Sequence, residues 1–269
     1  MTPERVFDGE RLRAVLIRGR SERLIVTFDY RQDGREGFSA DSHSTGFARQ
    51  GFSQLAIKTR ANDWFVNEET PSLEAALAQV VAGHSRVQAL GFAMGGYGAL
   101  RFAVALGLAQ AVIVSPQVSP LAPWDRRYRA EAGAWDESLG VLAPVPRLGG
   151  LLVFDPFVPE DLAHARAILT LFPRLRSVRL GHGGHPAIRT LRGAGGMRVV
   201  QEEAGRQGAR GAAILRAHRD ARAGSKGWWL RLAAQAEGRR PALAGVARER
   251  AGALPEKPGD LDVAGGRSA

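Results

Sequence analysis

The sequence predicts an α/β fold: a mostly parallel sheet with an antiparallel edge at its N-terminal side and helices on both faces. Three observations predict it. Short apolar runs alternate with helical segments along most of the 269 residues. Two early runs are separated by Arg18-Gly19-Arg20-Ser21, as in a hairpin. A strand-like run then passes through small residues directly into an Ala-rich helix, Val87 to Leu106.

Taken in order, Arg13 to Ile17 and Arg23 to Phe28 are β-branched and apolar, and read as the first strands. Ser53 to Lys58 is the next. Ser72 to Ala82 carries apolar residues at helical spacing (Leu73, Leu77, Val80, Val81), with Thr70 as the expected N-cap and Pro71 in the first turn. Val87 to Leu90 is a strand, and Gly96 to Leu106 a helix ending at Gly107. Ala111 to Val114, Leu151 to Phe154 and Ser177 to Leu180 complete the strands, with a helix from Glu160 to about Leu171 before the last. Helices over Met197–Gln207, Ala209–Ala221 and Gly227–Ala236 follow. The organisation is therefore one domain over 1–237. It includes an insertion at about 116–149, rich in Pro, Trp and charge (Trp124, Asp125, Arg126, Arg127, Tyr128, Trp135), which is either a cap over a ligand site or a solvated excursion. From 238 to 269 the Arg, Ala, Gly and Pro content lacks periodicity, and a disordered tail is expected.

The turn between strand and helix is Gly91-Phe92-Ala93-Met94-Gly95. It matches G-x-S-x-G, the nucleophile elbow, in which small flanking residues let helix and strand approach while the central residue is held on a strained turn. Alanine occupies the serine position. Its methyl has no lone pair, so Ala93 cannot attack an acyl carbon. An acid and a histidine should follow in that order, each just past a strand. Asp155 follows the Leu151–Phe154 run, and His185 lies in Gly181-His182-Gly183-Gly184-His185-Pro186 after the last strand. His182 competes with His185, which is favoured by the glycines before it and the proline after. Asp161 competes with Asp155, but reads as an ordinary acidic charge in a first helical turn.

Together, Gly91-Phe92-Ala93-Met94-Gly95-Gly96, Asp155-Pro156-Phe157-Val158-Pro159 and Gly184-His185 resemble the α/β-hydrolase superfamily over roughly residues 12 to 200. The resemblance implies an α/β-hydrolase fold and an ester or acyl hydrolase-like, or acyl transferase-like, site with Ala93 at the nucleophile position, Asp155 as acid and His185 as base. It implies one oxyanion donor at the Met94 N–H and a second near Asp29 or Tyr30, with Trp64 and Trp124 as further candidates for substrate contact. More loosely, Thr27-Phe28-Asp29-Tyr30, Asn62-Asp63-Trp64-Phe65 and Ser115-Pro116-Gln117 are similar to bacterial hydrolase-like proteins that include accessory secretion and surface-glycan-associated members. Three explanations accommodate the alanine: a natural pseudoenzyme that keeps its pocket for binding, a deliberate serine replacement, or an acid-histidine dyad activating water. Ser115 and Ser119 lie off the elbow and are poor substitutes.

Composition bounds the alternatives. The net charge is +10, and after His185 there are 16 Lys and Arg against 8 Asp and Glu, almost all Arg and scattered. Without an aromatic-interleaved basic patch, no nucleic-acid partner is expected. No cysteine is present, so thiol nucleophiles and thiolate metal sites are excluded. No His-carboxylate spacing suggests a metal, and no cofactor is expected. No apolar run is long enough to span a membrane and the N-terminus has no signal-like segment, so the expected location is the cytoplasm. The expected partner is a small acyl or ester ligand. The opposing reading is a non-catalytic binding or scaffold protein for secretion or envelope biogenesis, with a protein partner not identified by the sequence.

Overall fold

The computed structural model describes residues 2–133 and 135–255. In chain order its elements are β1 (Glu4–Asp8), β2 (Leu12–Ile17), β3 (Arg23–Phe28), α1 (Thr45–Arg49), β4 (Ser53–Thr59), α2 (Thr70–Val81), β5 (Arg86–Phe92), α3 (Met94–Arg101) and β6 (Gln110–Val114). They continue with α4 (Glu137–Gly140), β7 (Gly149–Phe154), α5 (Pro159–Leu171), β8 (Leu175–Arg179), α6 (Arg189–Gly193), α7 (Met197–Gly205), α8 (Ala212–Arg222), α9 (Lys226–Ala236) and α10 (Pro241–Gly252).

The strands form one eight-stranded sheet in the order β1-β2-β4-β3-β5-β6-β7-β8. Pairing is parallel from β4 through β8, and antiparallel at β1–β2 and β2–β4. The antiparallel edge is therefore present, but the expected hairpin of β2 with β3 is not. β4 lies between them. The connection is steered there by the turn before β4: the amides of Arg20 and Ser21 donate to the Gly51 carbonyl at 3.1 and 3.0 Å, and the Gly19 amide donates to Ser53 Oγ at 3.0 Å. β3 is buried along most of its length, which suits an interior parallel strand. The edge hairpin is instead β1–β2, whose polar outer strand gave no sequence signal.

The expected N-cap also moves by one residue. α2 is preceded by Glu69, while Thr70 lies inside the helix with its hydroxyl donating to the Phe65 carbonyl. The Glu69 carboxylate accepts the amides of Glu10, Arg11 and Leu12 at 2.7 to 3.1 Å, tying α2 to the β1–β2 turn.

Each sheet face buries its own apolar layer. On one, Phe28, Phe65 and Phe102 pack with Leu73, Leu100 and Ile168. On the other, Leu90, Val112, Val114, Leu151 and Val153 meet Ile188, Leu191, Val200 and Ile214. The tail expected from 238 is ordered in its first part, because α10 docks on α9. Its buried residues are Ala244, Ala247 and Ala251, at helical spacing. Side chains this small let two helices approach closely, so the packing needs little apolar bulk. Residues 256–269 of the expected tail lie outside the described residues.

Candidate active site

β5 ends in a turn whose central residue, Ala93, has φ 47° and ψ −116°, a conformation costly for any residue with a Cβ. The turn is fixed on both sides. Ala93 N–H donates to the Val114 carbonyl at 2.8 Å, and the Ala93 carbonyl accepts from Gly96 and Tyr97 at 2.9 and 3.1 Å. The glycines are required by close approach: a Cβ on Gly91 would run into the Gly95 carbonyl, and one on Gly95 would lie 2.8 Å from the Asp29 carbonyl oxygen. Met94 opens α3, so its amide is among those with no intrahelical acceptor. It is one of the expected oxyanion donors. In the β3 loop, the Asp29 amide donates to the Ile57 carbonyl at 3.0 Å, and its carboxylate is held by Arg35 and Ser39. Of the two expected donors there, Tyr30 is the one that lines the cleft with Ala93.

His185 faces the same cleft, a cavity of about 280 Å³ lined by Tyr30, Phe92, Ala93, Tyr128, His185 and Arg189 among others. Its acid partner is Asp161. His185 Nδ1 lies 2.9 Å from both Asp161 carboxylate oxygens. Asp155 instead accepts the amides of Phe157, His182 and Gly184 at 3.0, 3.1 and 2.9 Å, and so shapes the loop that carries His185 without touching the imidazole. The Phe157 contact is an Asx turn, for which Asp-Pro-Phe is a legible signature. Asp161, in the first turn of α5, is buried, unlike an ordinary dipole-complementing acid.

The electrostatics separate these carboxyls. Burial alone would raise the Asp161 pKa, but His185, Arg127 and a hydrogen bond from Ser115 hold it below the usual carboxylate range. Burial outweighs the three amides at Asp155 and raises its pKa. An ionised Asp161 can only accept, so Nδ1 of His185 carries a proton, and in the neutral imidazole Nε2 holds the lone pair. That lone pair is already engaged: the Tyr128 hydroxyl donates to it at 2.9 Å. Burial, moderated by Arg127, pushes the Tyr128 phenol up to about 12, so it stays protonated at neutral pH.

The sequence places Tyr128 and Arg127 in the insertion that could cap a ligand site, but gives neither an individual role. Tyr128 and Arg127 come from the β6–β7 insertion. Arg127 bridges Asp161 at 3.1 Å and Asp125 at 2.8 Å. Asp125 accepts from His164 Nε2 at 3.0 Å, and His164 Nδ1 accepts the Val118 amide at 3.1 Å, fixing a neutral imidazole in a wholly buried pair. Ser115, at φ 46°, accepts the Ala187 amide at 3.0 Å. His182 is stacked on Phe157, with ring centroids 4.3 Å apart, and points away from Ala93's cleft. Trp64 is fully buried behind Tyr128, at a ring separation of 5.2 Å, and Trp124 lies against His164. Neither tryptophan lines the cleft. Among the described residues, no cluster of three or more His, Cys, Asp or Glu could hold a metal, and no helix is long and apolar enough to cross a membrane.

No family model and no curated protein matches the chain. Solved structures do. A capsule O-acetyltransferase of Neisseria meningitidis serogroup A superposes with a TM-score of 0.50 at 14% identity, covering 72% of this chain and 93% of that one. A mutant of that enzyme in complex with CoA gives 0.50 at 12% identity, covering 81% and 92%. An esterase of Pyrococcus furiosus gives 0.45 at 14% identity, covering 71% and 84%. At such identities the likeness to the O-acetyltransferase speaks to fold alone. With the sheet order and the strained turn after β5, it makes this chain an α/β-hydrolase-fold protein with alanine at the elbow.

Proposed function

We propose that the protein binds an acyl ester or thioester in a hydrolase-like cleft and, lacking an elbow nucleophile, holds it without forming an acyl-enzyme. The observation that carries this reading is the placement of Ala93 and His185 on one cleft, with His185 oriented by a buried, ionised Asp161. A carbonyl seated there would direct its oxygen to the amides of Met94 and Tyr30. The imidazole would face the reacting carbon with a lone pair able to take a proton.

The elbow contributes a methyl at the point of attack, which leaves water as the nucleophile. Water would have to reach His185 Nε2 in competition with the Tyr128 hydroxyl, so the contact favours retention of ligand over turnover. Catalysis without a triad nucleophile amounts to roughly 10³ to 10⁴ over water in serine proteases. The parent chemistry is hydrolysis or transfer of an acyl group. The likeness to an O-acetyltransferase, and to its mutant in complex with CoA, supports a thioester as one ligand class.

The test compares the protein with its Ala93→Ser variant on nitrophenyl acetate and butyrate and on a fluorophosphonate probe. The reading expects no labelling of the parent chain, and both labelling and turnover in the variant. A folded variant that neither labels nor turns over would overturn it.

A further inference from the structure

A cavity of about 380 Å³ lies beside the elbow cleft on the sheet face that carries Leu90. The two share Tyr30, Phe92 and Arg192 as walls. Its floor is set by strand register. Val15 pairs with Ala56 across β2 and β4, Ala56 with Thr27 across β4 and β3, and Thr27 with Leu90 across β3 and β5. These four side chains form one row on one face. Three inter-strand steps of ~4.8 Å make it about 14 Å long. The middle of the row is a depression, because alanine and threonine lie between valine and leucine.

In a parallel sheet both faces are normally covered by helices. Here α1, the helix over β4, is only five residues long, α6 and α7 wall the groove through Arg192, Met197 and Gln201, and Ala56 and Thr27 remain only half-buried. Two polar side chains at the groove, Lys58 and Gln54, already have partners within the protein. Lys58 is held by Asp41 at 2.5 Å and by the Ser39 carbonyl at 2.8 Å. Gln54 exchanges hydrogen bonds with the Ser44 backbone at 2.7 and 3.1 Å. Val15, Ile17, Phe47, Leu90 and Phe92 make the remaining lining mainly apolar, with Thr27, His43 and Gln201 also on it, and it continues over Phe92 to Ala93.

We infer that this groove seats an unbranched apolar chain attached to the group bound at Ala93, so that the ligand is a medium-chain acyl compound rather than an acetyl ester alone. The inference rests on the acyl-site reading of the elbow cleft. Each methylene laid in the groove should tighten binding about fourfold until the row is filled.

The experiment is calorimetric binding of straight-chain amides, hexanamide through decanamide, to the full chain. These probes place a carbonyl at the oxyanion donors and are not expected to turn over. The expected result is an affinity that climbs with chain length in the parent protein and does not climb in Ala56→Phe, whose ring fills the depression. Circular dichroism checks that the variant is folded. If it is not, the parent series decides by itself: a flat series overturns the inference. A climb that persists in folded Ala56→Phe also overturns it, because the chain then lies elsewhere. Fluorophosphonate labelling of Ala93→Ser, run in parallel, separates the two readings. Labelling with a flat amide series sinks the groove alone, whereas a climbing, Ala56-sensitive series without labelling keeps the groove and sinks the elbow reading.

Discussion

Replacing Asp161 by Asn in an Ala93→Ser background tests which carboxylate serves His185. Asp161 accepts from His185 Nδ1 at 2.9 Å, from Arg127 at 3.1 Å and from Ser115, with almost no solvent contact. An amide there sets an N–H₂ donor against the imidazole, and the ring responds by placing its own proton on Nε2. The lone pair that must take the hydroxyl proton is then lost. The corresponding change in a serine protease lowers kcat by about 10⁴, which corresponds to about 5.4 kcal/mol of transition-state stabilisation. Asp155→Asn removes the same charge but leaves the His185–Asp161 contact intact. It loses one charged acceptor for a loop amide, at about 1.5–3 kcal/mol of folding stability. The assay is nitrophenyl acetate turnover beside urea unfolding for the two double variants. A collapse of rate in the Asp155 variant with the Asp161 variant within about tenfold of its parent would refute the assignment.

Tyr128→Phe in the Ala93→Ser background should raise turnover roughly 2- to 10-fold, the scale of one net neutral hydrogen bond competing for Nε2; an unchanged or lower rate would count against Tyr128 as a competitor. Gly91→Ala should cost about 1–3 kcal/mol or more in urea melts, because its methyl would strike the Gly95 carbonyl. Burial, and then Arg231, push His182 down to about 4 from 6.5. The folded state therefore binds fewer protons than the unfolded state, and this stabilisation is present above 6.5 and lost as pH falls through about 4. Thermal melts across that window should show a shallower decline in His182→Phe, with the part due to His218, also lowered by burial, remaining. Trp124→Ala should leave turnover of the Ala93→Ser protein within about twofold, since Trp124 is exposed and does not line the cleft.

Legibility in the sequence followed the range of the interaction. The glycines at 91 and 95 announce a close approach within ten residues of chain, so the strained turn and the alanine at its centre can be read directly. The loop histidine could be read because strand, turn and glycines lie together. Its partner could not. Asp155 and Asp161 are six positions apart and both follow the same strand, and only the direction in which α5 leaves β7 decides which carboxylate reaches His185. The separation of β2 from β3 has a similar cause, since a short connection is compatible with a neighbour or with a strand inserted between.

The sequence by itself determined the alternation of strands and helices, the strained turn at Ala93 and the absence of an oxygen there, because these depend on local sterics and on residue chemistry. Tertiary structure alone decided that Asp161 orients His185, that Tyr128 from the insertion caps its lone pair, and that Val15, Ala56, Thr27 and Leu90 share one row beside the elbow. Each of those contacts joins segments far apart in the chain or depends on helix direction and strand register. Neither is fixed by local propensity, because hydrogen-bonding capacity and apolar surface are indifferent to which distant partner supplies the match until the sheet is assembled.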